Sequence, residues 1–161
     1  MNGKHRRVVA GIGSDGKSCV VLDDEVTPDM DPEIGSVVSL WAGRMGRVSN
    51  EAAIEDALVP FTLDKLSADQ YFFQIAVFAP KLADDIIPMH FTNTTDHWYV
   101  AEGEIILVLQ TGDVTLKAGD FGVCRGVMHS WRNDSKKPAK LITLLMPAKQ
   151  LATYEGRMAG P

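Results

Sequence analysis

The sequence predicts an all-β protein, a sandwich or barrel of short antiparallel strands. Three observations carry that expectation. From residue 71 onward, short runs rich in aromatic and β-branched residues recur at close, regular spacing. Their separators are turn sequences: Glu102-Gly103, Thr111-Gly112-Asp113, Ala118-Gly119-Asp120 and the polar segment around Asn133-Asp134-Ser135. Helical periodicity is weak everywhere except residues 49–58.

Taken in order, residues 6–12 and 19–22 read as two strands, joined by the turn sequence Ser14-Asp15-Gly16-Lys17. The Pro- and Asp-rich stretch 23–32 reads as an irregular surface loop. Residues 37–41 form a third strand candidate. Residues 49–58 carry a Ser/Asn start, early acidic residues, alanines and Pro60 as a stop, which predicts a helix. Strands follow at 71–78, 96–101, 104–110, 114–117, 121–125, 130–133 and 140–146, and the tail to Pro161 has room for one short helix. In 104–110, Ile105, Leu107 and Leu109 alternate with Ile106 and Val108, so both faces are apolar and both are expected to be covered. A second sheet combined with a dimer partner or the N-terminal segment would do this. The division expected is one domain over 1–161. Residues 71–146 form its barrel core, and 1–70 complete or cover it.

A length of 161 residues suits one domain with a real core. The net charge of -5 argues against wholesale nucleic-acid binding, which needs a basic surface. The cluster Lys4-His5-Arg6-Arg7 reads as a solvated strand edge. Cys19 and Cys124 are far apart and form no CxxC pair, so the expectation is free thiols in a cytoplasmic protein. No apolar run has the length of a membrane span. Gly11-Ile12-Gly13 lacks the following helix and Lys-Ser/Thr of a phosphate loop.

The chemistry concentrates in two places. His90, Thr92, Thr94 and Asp96 are spaced by two, so on an extended chain all four side chains share one face. Downstream, His129, Trp131 and Asn133 alternate in the same way. If the hairpins between them bring these strands together, two imidazoles and a carboxylate meet inside the barrel. That set suits either a divalent metal or a proton shuttle. His97 has the wrong parity for that face unless a bulge intervenes. Trp98 and Trp131 would be flat apolar walls. Cys124 reads as a buried apolar residue, and Glu102 and Glu104 as solvated carboxylates.

These spacings resemble the two motifs of the cupin family. The first is read as His90-x-Thr92, three residues, Asp96, six residues, Gly103. The second runs Gly119-Asp120, then Arg125-Gly126, two residues, His129, three residues, Asn133, one residue short before Gly126. The resemblance covers about 71–146 and implies a cupin double-stranded β-helix barrel, jelly-roll-like. It further implies a divalent transition metal (Zn, Fe, Ni or Mn) held by His90, Asp96 and His129, the same residues acting in catalysis. Thr92, Thr94, Trp98, Trp131 and Arg125 would contact substrate. Thr92 stands where the family has a histidine, and Asp96 where it has the longer glutamate. Metal-assisted dioxygenase, decarboxylase, isomerase or dehydratase chemistry on a small organic molecule is the implied activity. The alternative is a non-catalytic, sensory or small-molecule-binding cupin with a degenerate metal site. The implied partners are a small-molecule substrate and a second copy in a homodimer, with no nucleic acid and no membrane.

Overall fold

The computed structural model describes residues 5–12, 18–28, 35–44, 46, 53–62, 65, 70–82 and 87–159. Among these residues ten strands carry the fold: β1 (His5–Ile12), β2 (Ser18–Val26), β3 (Gly35–Arg44), β4 (Gln70–Phe78), β5 (Thr94–Glu102), β6 (Glu104–Leu109), β7 (Gly112–Lys117), β8 (Phe121–Cys124), β9 (His129–Arg132) and β10 (Ala139–Pro147). They form a five-stranded sheet in the order β3-β4-β10-β5-β8 and a three-stranded sheet in the order β7-β6-β9, with β1 and β2 paired separately. From β5 onward the chain passes repeatedly from the large sheet to the small one and back. This alternation is the double-stranded β-helix that the motif spacing implied.

Alternation along each strand turns one face of each sheet inward. Trp98, Val100, Ala139 and Leu141 of the large sheet meet Ile105, Leu107 and Leu116 of the small sheet in one buried apolar cluster. Gly122 is needed there, because a Cβ at that position would collide with the Trp98 ring. A second cluster of Ala42, Phe61 and Phe72 closes the other end of the large sheet. On the outer face of β6, Ile106 is already buried within the single chain. The two carboxylates that flank the β5–β6 turn pair with lysines at the surface: Lys140 Nζ with Glu102 Oε1 at 2.6 Å and Lys117 Nζ with Glu104 Oε2 at 3.6 Å.

Two expectations change. Residues 23–26 belong to β2 and not to a loop. Their register with β1 runs without a break from Val26–His5 to Leu22–Val9, so the strand pairing continues through the acidic residues. Among the described residues the predicted helix is a single 3-10 turn, Ile54–Ala57, and residues 49–52 lie outside the described set. A run this short lacks the cooperativity of an α-helix and is shaped by its packing. The tail carries another 3-10 turn, Ala152–Tyr154. The turn at 14–17 also falls outside the described residues.

Asn133, fully buried, ties the corner together. Its Nδ2 donates to the carbonyls of Ala79 at 3.0 Å and Lys137 at 2.9 Å, and its Oδ1 accepts from Ser135 N at 3.0 Å. Replacement by alanine strands several buried backbone groups at once. Asn133→Ala should therefore lower unfolding stability by about 2–4 kcal/mol in urea denaturation. A change below about 0.5 kcal/mol would show that the side chain is not holding these segments.

Candidate functional site

The site forms where the chain turns from the small sheet into the large one. Residues 88–93 run beside β9 before entering β5. His90 and His129 stand opposite each other in an isolated antiparallel bridge. His90 N donates to His129 O at 2.9 Å, and His129 N donates to His90 O at 2.8 Å. Residues directly opposite in such a pair send their side chains to the same side. The two imidazole centroids are accordingly 4.5 Å apart, with the planes tilted by 50°.

Each ring is held by the same local device. His90 Nδ1 lies 2.9 Å from Pro88 O, and His129 Nδ1 lies 2.8 Å from Val127 O. A carbonyl only accepts, so Nδ1 carries the proton in both rings and Nε2 keeps its lone pair. Burial lowers the basicity of both, and for His90 the neighbouring His129 adds to the effect. Both rings are therefore neutral at pH 7, with a free base nitrogen on each.

Gly126 makes the approach possible. It adopts φ +62°, and a Cβ there would press on the carbonyls of Thr92 and Thr94. The C-terminal turn backs the corner from outside. Phe91 stacks on Tyr154 with centroids 4.5 Å apart, and Tyr154 OH accepts from Met128 N at 3.0 Å. Sequence reasoning misses Tyr154, because a lone aromatic in a tail carries no spacing signal.

Thr92 and Thr94 are buried, and their hydroxyls bond each other at 2.6 Å. Asp96 follows on the inward face of β5, opposite Leu145 and Cys124. Burial pushes its carboxyl up, partly offset by Thr94 and by His90. Its Oδ1 is buried with no hydrogen-bond partner. β5 runs without a bulge through this stretch, so His97 stays on the opposite face, beside Leu144 and Val123 in register. Trp98 and Trp131 meet edge-on at 5.8 Å, and His129 packs against Trp131 at 6.3 Å. Arg125 is exposed, just past the end of β8. Cys124 is buried, and burial pushes its thiol up to about 11. It lies 3.6 Å from His129 Nδ1, the nitrogen that already carries a proton, so it gains no base from that ring.

The donor types, two imidazoles and a carboxylate, suit a transition metal. As placed, however, no group of three or more His, Cys, Asp or Glu among the described residues is drawn close enough to hold a metal ion. Thr92, at the family's third histidine position, has its hydroxyl turned to Thr94. The side chains as they stand thus present two adjacent imidazole bases and not a closed metal centre.

The neutral imidazoles give stability a pH signature. An unfolded histidine takes a proton near its ordinary value of 6.5, while the buried rings resist it. Below that pH the unfolded chain binds more protons, so stability falls as acid is added. Asp96 acts in the other direction. Its raised value contributes stability that is present below its ordinary 3.8 and lost as pH rises through the folded value. Melting temperature should drop as pH falls from 7 through 6, and His129→Asn should flatten that slope. An unchanged slope in the variant would mean that the ring is not held neutral.

The comparisons with known proteins fall on this same region. Residues 82–145 match the Cupin domain family model, Cupin_2. Phomopsin biosynthesis cluster protein C' from Diaporthe leptostromiformis is 38% identical over 74 residues, 45% of this chain and 39% of that protein. A cupin-domain-containing oxidoreductase from Neurospora crassa is 44% identical over 54 residues, 32% of this chain and 28% of that one. The chain thus spans well under half the length of these relatives. Among solved structures, TT1209 from Thermus thermophilus aligns with a TM-score of 0.47 at 17% identity, over 73% of this chain and 88% of that chain. No helix among the described residues is long and apolar enough to cross a membrane. The family match spans the segment with His90, strand β5 with Asp96 and strand β9 with His129, and residues 82–145 are a cupin-type region.

Proposed function

We propose that this chain is a small-molecule enzyme of the proton-transfer kind, of isomerase or dehydratase type. Its substrate would be a small organic compound with an acidic C–H beside a carbonyl. One observation carries the reading: the paired Nε2 lone pairs of His90 and His129, made available by carbonyls that hold Nδ1–H on both rings. One imidazole takes the proton from carbon. The same ring, or its neighbour, returns it to another carbon or to a departing hydroxyl. Trp98 and Trp131 supply an apolar wall for the carbon skeleton, and Asp96 remains beside the pair as a second proton-holding group. Relatives named for biosynthesis clusters and as oxidoreductases support small organic molecules as the ligand class.

A second reading has one observation in its favour. Asp96 Oδ1 is buried without a partner, as a carboxylate awaiting a cation would be. Here a divalent transition metal (Zn, Fe, Ni or Mn) would be held by His90, Asp96 and His129 and would polarise a substrate oxygen. The two readings differ in one measurement. Exchange of solvent deuterium into the α-carbon of small aryl ketones, followed by NMR, should be accelerated by the chain and should survive exhaustive chelation. His90→Asn and His129→Asn should each slow it by about 100-fold or more. Exchange lost on chelation and restored by one equivalent of metal would instead establish the metal site. Ketone binding without exchange would leave a non-catalytic binding module.

A homodimer is proposed on the outer face of the large sheet. β8 is its edge strand among the described strands, and Tyr99, Phe121 and Val123 are exposed on adjoining β5 and β8 positions. Light scattering should give twice the chain mass, and Phe121→Glu should return it to the monomer value.

A further inference from the structure

The inward face of the large sheet holds a row of polar groups that nothing among the described residues satisfies. Gln74 on β4 is opposite Thr143 on β10, and Thr143 is opposite Trp98 on β5. Asp96 follows two residues before Trp98, on the same face. The row lies deep in the barrel: Gln74 is 4%, Thr143 8% and Trp98 7% exposed. Gln74 Oε1, Thr143 Oγ1, Trp98 Nε1 and Asp96 Oδ1 are each buried with no hydrogen-bond partner. Folded proteins leave few buried polar atoms unpaired. Four on adjoining positions of one face, on the strands beside the two imidazoles, call for a group that the described residues do not themselves supply.

We propose that this row recognises a neutral ligand end bearing a hydroxyl next to a carbonyl. The donor and acceptor inventory selects that class. The indole N–H only donates, so it requires an acceptor such as a carbonyl oxygen. The Gln74 carbonyl and the Asp96 oxygen accept, so they require a donor such as a hydroxyl. The Thr143 hydroxyl takes either role and sits between Gln74 and Trp98 in register. A ligand carboxylate is disfavoured, because the row contains two acceptors and no Lys or Arg. A ligand hydrocarbon is disfavoured, because it would leave all four groups unpaired. The proposal rests on the reading of the barrel interior as a substrate site and deepens it: the row fixes one end of the molecule and places the carbon beside its carbonyl toward His90 and His129.

Two near-isosteric substitutions test it in the full chain, Thr143→Val and Gln74→Met. The probes are 2-hydroxyacetophenone, acetophenone and ethylbenzene, with binding followed by tryptophan fluorescence and calorimetry. The wild-type chain should bind 2-hydroxyacetophenone at least about 10-fold more tightly than ethylbenzene. Each variant should lose most of that preference, bind ethylbenzene as well as before or better, and melt at a higher temperature, since an unpaired polar atom has been removed. Unaltered selectivity with lowered melting temperature in both variants would overturn the proposal and make the row structural. So would a wild-type chain that shows no preference among the three probes. The His90→Asn/His129→Asn double variant separates this from the proton-transfer reading. Retained hydroxy-ketone selectivity there, with exchange abolished or absent, leaves recognition standing by itself. Exchange that depends on both histidines, with selectivity indifferent to Thr143 and Gln74, removes the recognition row alone.

Discussion

The reciprocal backbone pair between His90 and His129 is the constraint on which the site depends. It belongs to no long ladder. It is a single rung, supported by the second rung from Leu82 to Asn133 and by the Asn133 side chain that ties the neighbouring turns. One rung suffices because antiparallel geometry leaves its two side chains no choice of side. The rest follows locally. Each histidine sits two residues after the carbonyl that holds its Nδ1, so one backbone arrangement, used twice, sets the same tautomer on both rings. Gly126 lets the segments approach, and the Phe91–Tyr154 stack covers the outside.

The barrel interior is divided by this arrangement. Toward the β5–β6 turn, Val100, Ile105, Leu107, Leu116 and Leu141 pack as an ordinary hydrocarbon core. Toward the other end, alternate inward positions carry Gln74, Thr143, Asp96 and His129. Trp98 stands on the boundary, its ring in the apolar cluster and its Nε1 without a partner. The apolar end stabilises the fold, and the polar end draws on it. A row of unpaired buried groups costs stability and persists where function requires it.

How much of this was legible depends on what each feature is made of. Strands β4 to β10 could be read within one or two residues because their apolar alternation and glycine turns are local. Gly103, with φ +79° against the Pro138 carbonyl, is the kind of position a turn motif reveals. The meeting of His90 and His129 was also readable, through matched motif spacing. Residues 23–26 were misread because Pro and Asp content suggested a loop, while the partner strand that extends β2, β1, lies elsewhere in the sequence. Gln74 and Thr143 were passed over although strand parity marks both as inward. A polar residue inside an apolar strand becomes informative only when its neighbours across the sheet are known, and register is a tertiary fact. The hydrogen bond between Thr92 and Thr94 was equally invisible, since the spacing gave a shared face but not which atoms would touch.

The two chemistries considered for the pair make opposite demands on Asp96. A metal on His90 and His129 needs the carboxylate ionised, to offset two positive charges in a buried place. Burial instead holds that carboxyl toward its protonated form, and the two imidazoles stay neutral beside it. Neutral rings, and a carboxyl whose charged form burial disfavours, keep the cost of desolvating ions low. A neutral hydroxy-carbonyl ligand preserves that balance, whereas a cation would need Asp96 ionised against the desolvation and its oxygen drawn in toward the rings. A second buried carboxylate or a third imidazole in place of Thr92 would shift the balance toward the metal. The threonine, occupied with Thr94, is in keeping with the proposed proton-transfer reading.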